Sequence, residues 1–301
     1  MSDRLIRAIA ADGGIRVVGT ITTQLTEEAR CRHGLSRVAT AALGRTMAAS
    51  LLLASSMKHP DSRVNLQFKG DGPLRGILAD AGLDGTVRGY VGNPTVEVPP
   101  KPNGKLDVGA AVGRGLLHSV RELGYGHPFS SSTEIITGEI GDDVANFLIN
   151  SEQTPSAISL GVFVDNSGVT AAGGFMIQIL PKAALEEELV TTLESRIGHL
   201  SGFTTLLREG RSLPNIFDIL MGDMGVKIFP DDQEVKFYCG CSGDRMLSAL
   251  KLLGIEELQD MIEKDNGAEA ICHFCNEVYR VNSNELQELI QELRENESVT
   301  Q

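Results

Sequence analysis

Cys239-Gly240-Cys241, then thirty residues, then Cys272-His273-Phe274-Cys275: these stretches decide how the C-terminal part of the chain folds. Two close cysteine pairs separated by a helical insert are how a chain places four sulfurs around one tetrahedral ion. The second pair has the common two-residue spacing. The first has a single residue between, and Gly240 permits the tight backbone that brings both sulfurs to one centre. Four soft thiolates in a non-redox tetrahedral site select Zn²⁺, with iron as the alternative metal. One Zn²⁺ per chain is therefore expected on Cys239, Cys241, Cys272 and Cys275. His273 lies between two ligands, but four thiolates already fill the shell.

The surroundings of the cysteines are acidic. From Asp231 to Gln301 there are 16 acidic and 6 basic residues, which accounts for -10 of the chain's net charge of -13. Such a module repels phosphate backbones, because nucleic-acid affinity comes largely from Lys and Arg. The chain has no Trp and only 5% aromatic residues, so it offers few stacking platforms for single strands. No nucleic-acid partner is expected. Four thiolates on a dication carry a formal charge near -2, which backbone N–H groups and a cation such as Arg280 are expected to offset. With few large apolar residues, the module 231–301 depends on its metal to fold. Structural zinc sites in finger peptides supply roughly 10–16 kcal/mol of apparent binding free energy at neutral pH.

Spacing alone leaves two readings open. One is a permanent zinc ribbon. The other is an oxidation switch, since a sulfenic acid formed on one thiolate finds its resolving thiol in the same pair. Loss of the metal would then remove the folding energy of the module.

Upstream, at Pro181, the texture changes. Leu185, Leu189, Leu193, Ile197 and Leu200 give a helical stripe, with Glu186, Glu187, Glu188 and Glu194 outside it. Pro181 suits a first helical position. A second helix is expected from Pro214 to Met221, closed by Gly222. Residues 181–230 are read as a helical connecting region, and Met221 and Met224 could add adaptable contacts.

Residues 1–180 read as an α+β domain of mixed sheet and helix. Asp12-Gly13-Gly14 separates two apolar runs, Leu5–Ala10 and Ile15–Thr22, as a hairpin would. A short helix is expected over Thr26–Arg32, closed by Gly34, then a longer one capped by Ser36. Arg63–Val91 has the pattern of a β-meander broken at Asp71-Gly72 and Asp84-Gly85. Pro94–Gly104 is read as a loop. Leu116–Leu123 and Thr133–Ile140 are predicted strands, Asp142–Asn150 a helix, and Ser156–Val164 with Val169–Leu180 a hairpin. Gly173-Gly174 signals a bulge or a close strand approach. Strands that do not strictly alternate with helices argue against a doubly wound sheet.

Some function classes find no support. The chain has no Gly-x-x-x-x-Gly-Lys-Ser/Thr phosphate loop, and Gly70-Asp71-Gly72-Pro73 has the wrong spacing for a dinucleotide loop. No Ser/His/Asp set or carboxylate pair stands out, so no enzyme active site is expected. The longest apolar stretch, Val38–Met57, carries Arg45 and reads as a buried helix, so no membrane association is expected. The start at Met1-Ser2-Asp3-Arg4 carries no signal-peptide pattern. Metal-held thiols suit a reducing cytoplasm. Cys31 beside Arg32 and His33 could be activated by those cations, but is read as a packing cysteine. Leu286, Leu289, Ile290 and Leu293 predict an amphipathic terminal helix within Glu285–Glu297.

The cysteine order, with Asn276 after the last ligand and Tyr279 beyond it, resembles the heat shock protein 33 family, the redox-regulated 33 kDa chaperonins. Ala42-Leu43-Gly44-Arg45, Gly70-Asp71-Gly72-Pro73, Ser151-Glu152-Gln153 and Ala171-Ala172-Gly173-Gly174-Phe175 match the same pattern across most of the chain. The resemblance implies a reduced, zinc-bound, inactive state with a C-terminal redox-switch domain over 231–301 and a metastable linker over 181–230. Oxidants would form Cys239–Cys241 and Cys272–Cys275 disulfides. Zinc loss, linker unfolding and homodimerisation would follow, and the activated protein would hold unfolding client proteins without ATP. Beside this stand a static zinc ribbon and a thiol oxidoreductase in which Cys272-x-x-Cys275 turns over.

Overall fold

Asp12 and Gly13 both sit at positive φ, 47° and 85°. The chain reverses there between β1 (Arg4–Ala10) and β2 (Ile15–Ile21), which pair antiparallel from Arg4↔Ile21 to Ala10↔Ile15. The structure is a computed structural model describing residues 2–181, 183, 187–200 and 202–299. It divides into two units, Met1–Tyr238 and Cys239–Gln301.

In the first unit α1 (Thr23–His33) ends at Gly34 with φ 60°, and the Ser36 hydroxyl accepts the Ala39 N–H to start α2 (Arg37–Ala54). Helix α2 is buried nearly all round, as its Ala- and Leu-rich sequence requires, and it packs on both sheets of the unit. One sheet continues from the meander β3 (Arg63–Gly70), β4 (Ile77–Gly82) and β5 (Thr86–Val91). After α3 (Val108–Val112) it adds β6 (Gly115–Glu122) and β7 (Phe129–Glu134), giving the order β5-β4-β3-β6-β7.

The predicted strand Thr133–Ile140 is corrected here. Pairing stops at Glu134, because the next turn wraps the Asp143 carboxylate, which accepts the N–H groups of Ile136, Thr137, Gly138 and Ile140. An anion satisfying four amides replaces the ladder. Asp143 itself belongs to α4 (Gly141–Glu152).

The other sheet is completed by the hairpin β8 (Ser156–Asp165) and β9 (Gly168–Ile179), in the order β1-β2-β9-β8. Gly173 and Gly174 mark close strand approach: a Cβ there would fall 2.1 Å from the Thr20 carbonyl and 2.4 Å from that of Ser159. The irregularity in pairing lies elsewhere, at Phe163/Val164.

Three helices then cover this sheet: α5 (Glu187–His199), α6 (Phe203–Arg208) and α7 (Leu213–Met221). Pro181 lies in a turn instead of opening a helix. Of the predicted stripe, Leu193 is buried and Leu189, Ile197 and Leu200 are half-buried; Leu185 and Glu186 lie outside the described residues. Phe203, Leu206, Leu213, Ile216, Phe217 and Leu220 join Leu193 in one core cluster with Ile6, Ala8, Val17, Phe175 and Ile177 of β1, β2 and β9. Helix α6 was not predicted. Its six residues are too few for a periodic signal.

The chain next forms β10 (Lys227–Ile228) and β11 (Gln233–Glu234), both antiparallel to β1, and β12 (Lys236–Phe237), parallel to β5. The first unit ends one residue before Cys239.

The second unit holds α8 (Gly243–Lys251), α9 (Ile255–Asp265), the hairpin β13 (Gly267–Ile271) and β14 (Val278–Asn282), and α10 (Ser283–Val299). Its core is small: Leu250, Leu258, Val281, Leu286, Leu289 and Ile290. The last three come from the predicted terminal helix.

Candidate metal centre

Cys239 and Cys241 precede the Ser242 cap of α8, whose hydroxyl accepts the Arg245 N–H. Cys272 and Cys275 sit at the tip of the β13–β14 hairpin, just beyond the register pair Ile271↔Val278. That tip is a tight knuckle. Cys272 N–H donates to the Glu277 carbonyl at 2.9 Å, Asn276 N–H donates to the Cys272 carbonyl at 2.7 Å, and Asn276 takes φ 60°.

All four sulfurs lie within 4.8 Å of one another. Cys239 and Cys272 are 3.7 Å apart and Cys241 and Cys275 3.3 Å. Thiolates at about 2.3 Å from a tetrahedral ion would be separated by about 3.8 Å, so the cluster matches such a centre in donor type, number and spacing. None of the four cysteines is in a disulfide; Cys275 is buried and the others half-buried.

Backbone polarity and burial act in opposite directions on the sulfurs. Backbone N–H groups of Phe274 and Cys275 favour the Cys272 thiolate, and that of Glu277 favours the Cys275 thiolate. Burial nevertheless dominates and pushes both thiols above the ordinary range. A divalent ion held by the four sulfurs would invert that balance, its charge offsetting the desolvation cost of the thiolates.

The Tyr279 hydroxyl donates to the Cys241 sulfur at 3.0 Å, a contact the sequence did not reveal. Two-residue alternation along β14 places Tyr279 and the core residue Val281 on one face. The same alternation corrects the expectation for Arg280. Its guanidinium pairs at 2.8 Å with Glu269, its register partner on β13. His273 is exposed and lies outside the four-sulfur cluster.

Cys31 is exposed, so it is not a packing cysteine. Its thiol is raised, first by desolvation and then by its hydrogen bond to Glu27, with Arg30 opposing. Cationic neighbours do not activate it. Among the described residues no helix is long and apolar enough to cross a membrane.

A family model described as Hsp33 protein matches residues 3–282. The chain belongs to the Hsp33 family. It is 66% identical over 300 residues to the 33 kDa chaperonin of Trichormus variabilis, with full coverage of both chains. It is 63% identical over 295 residues to that of Synechocystis sp., covering 98% of each. The crystal structure of the Thermotoga maritima 33 kDa chaperonin superposes with a TM-score of 0.90 at 36% identity, covering 98% of this chain and 100% of that one. The α+β fold is thus that of the Hsp33 family, and the four-cysteine cluster is compatible with a bound metal ion.

Proposed function

We propose that this chain is a redox-regulated, ATP-independent holdase, inactive when reduced and zinc-bound. The observation that carries the reading is the apolar face of β1, β2 and β9 lying beneath α5, α6 and α7. A chaperone that holds unfolding proteins needs an apolar surface of this kind, covered at rest and open on demand.

Zn²⁺ fits Cys239, Cys241, Cys272 and Cys275 by thiolate softness and tetrahedral spacing. When bound, it supplies folding free energy to a unit whose apolar cluster, among the described residues, has six buried side chains. Peroxide would oxidise the sulfurs to Cys239–Cys241 and Cys272–Cys275 disulfides. In each pair one thiolate attacks the peroxide oxygen, hydroxide leaves, and the second thiolate displaces the other hydroxide. Two electrons pass to peroxide, and two protons complete two waters. Disulfide sulfurs would no longer be ligands, so the second unit would lose the stabilisation that a bound metal supplies.

The linker over 181–230 then undocks, the protein dimerises, and the opened surface holds client proteins. The site of action is the cytoplasm, the activity is non-enzymatic, and neither nucleic acid nor membrane is a partner. The test is an aggregation assay with chemically unfolded client before and after peroxide at mild heat. Suppression only after oxidation supports the reading. A zinc content indifferent to peroxide would leave a structural ribbon.

A further inference from the structure

The segment 227–238 is bound to the first unit as an added strand, although little of it is buried. It meets β1 over only two residues at a time: Ala8↔Ile228 with Ile9↔Lys227, then Arg4↔Glu234 with Leu5↔Gln233. Between these contacts stands Pro230, which has no N–H to donate. Phe229 N–H donates to the Arg7 carbonyl at 2.9 Å and Val235 N–H reaches the Asp3 carbonyl at 3.4 Å. Ile228 and Phe229 stay 40% and 46% exposed. Polar anchors supplement the ladder: Asp232 pairs with Arg4, and Gln233 accepts from Arg7. A cavity of about 410 Å³ persists beside the segment, lined by Asp3, Arg4, Leu25, Asp232, Val235 and Phe237. The strap caps this edge without filling it.

What lies under the strap is a different kind of surface. Strand β1 is seven residues long, and without the strap it would be the open edge of the β1-β2-β9-β8 sheet. Odd-numbered positions along β1 turn their backbone groups to the strap: the carbonyls of Arg7 and of Asp3, just before the strand, accept from it. The same strand supplies Ile6, Ala8 and Ala10 to the apolar face beneath α5–α7. The covered face and the covered edge therefore meet on one strand. An unpaired edge beside an apolar face is a template for strand addition, in which main-chain bonds give affinity and side-chain pockets give selection.

We propose that, once the strap is released, the β1 edge captures an extended segment of an unfolded polypeptide as an antiparallel added strand. The strap is its intramolecular stand-in. The strap also states the chemistry of the occupant: apolar residues such as Phe229 and Val235 flanking an acidic pair, Asp231 and Asp232, that faces Arg4 and Arg7. This inference rests on the holdase reading above.

The test is hydrogen exchange by mass spectrometry on the full chain, following the proteolytic fragment that carries residues 4–10. Three states are compared: reduced and zinc-loaded; peroxide-oxidised; and oxidised with reduced, carboxymethylated α-lactalbumin as a permanently unfolded client. A fourth uses a synthetic peptide of residues 226–238 in place of the client. Protection of the β1 fragment is expected to fall roughly tenfold or more on oxidation. It should return with the client and with the peptide, and the peptide should displace the client.

If the oxidised chain holds the client while β1 stays protected throughout, or stays unprotected in the complex, edge capture is wrong and the holdase reading stands. Protection that returns in oxidised protein alone as its concentration rises assigns the edge to a second copy and overturns client capture. An oxidised chain that holds no client at all removes the reading beneath both.

Discussion

Phe217 of α7 lies over Gly19 of β2 so closely that a Cβ at position 19 would come within 2.9 Å of the Phe217 ring. The same atom would meet the Leu213 side chain at 2.9 Å. The helix docks where the sheet offers no side chain, and this links one glycine to the covering of the whole apolar face. Gly19→Ala should lift α7 at a cost of about 1–3 kcal/mol, the usual penalty of overpacking a filled core. Client holding should then appear at lower peroxide or lower temperature than in the unaltered chain, with the metal still bound at the start. An unchanged activation threshold, with α7 amides as protected as before, would rule the contact out as a determinant.

Phe217→Ala attacks the same interface from the other side. The ring is fully buried, so its loss should cost about 3–5 kcal/mol. Partial holding activity without oxidant is the expected outcome, measured by aggregation of an unfolded client under reducing conditions. Zinc content should remain near one per chain, separating undocking from metal loss.

Tyr279→Phe removes the hydroxyl that donates to Cys241. That hydrogen bond draws electron density from the sulfur and so restrains its attack on an oxidant. Without it the Cys241 sulfur becomes a freer nucleophile, and peroxide-driven metal release should quicken. A chromogenic chelator follows the rate. A variant that matches the parent in rate would show that the hydroxyl is a bystander.

Glu27 predicts a pH effect in the first unit. Its hydrogen-bonded ion pair with Arg30 holds the carboxyl down at about 2, and it also accepts the Val169 N–H. A carboxyl lower in the folded state stabilises the fold above its unfolded value near 4.5 and loses that contribution as pH falls from there toward 2. The site is partly exposed, so solvent screening reduces the effect to about 1 kcal/mol. Glu27→Gln should lower the thermal midpoint at pH 7, and the difference from the parent should shrink below pH 4.5. A constant gap across that window would contradict the assignment.

Much of this was legible in the sequence because it is carried by short, local signals. Gly34, Ser36 and Asp12-Gly13 mark real boundaries, since positive φ and side-chain caps are fixed by residue type. The four cysteines are read from spacing, α5 from its apolar stripe, and α7 from the Pro214 and Gly222 that bound it. Other features depend on partners far along the chain. The 136–140 turn reads as strand until Asp143 is seen to bind its amides. The strap at 227–238 has only two-residue pairings broken by Pro230, too short for any period to register. Arg280 and Tyr279 are neighbours in sequence, and only the register of β13 with β14 shows which one meets the sulfurs.

The central claim, that oxidation of the four thiols is what opens the chaperone, is tested most directly by one titration. Zinc and free thiol are counted per chain as peroxide is added at mild heat, with client aggregation followed in the same samples. The account predicts the loss of four thiols and one zinc in step with the onset of holding, while Cys31 stays reduced. Full holding activity with zinc bound and all four thiols intact would contradict it.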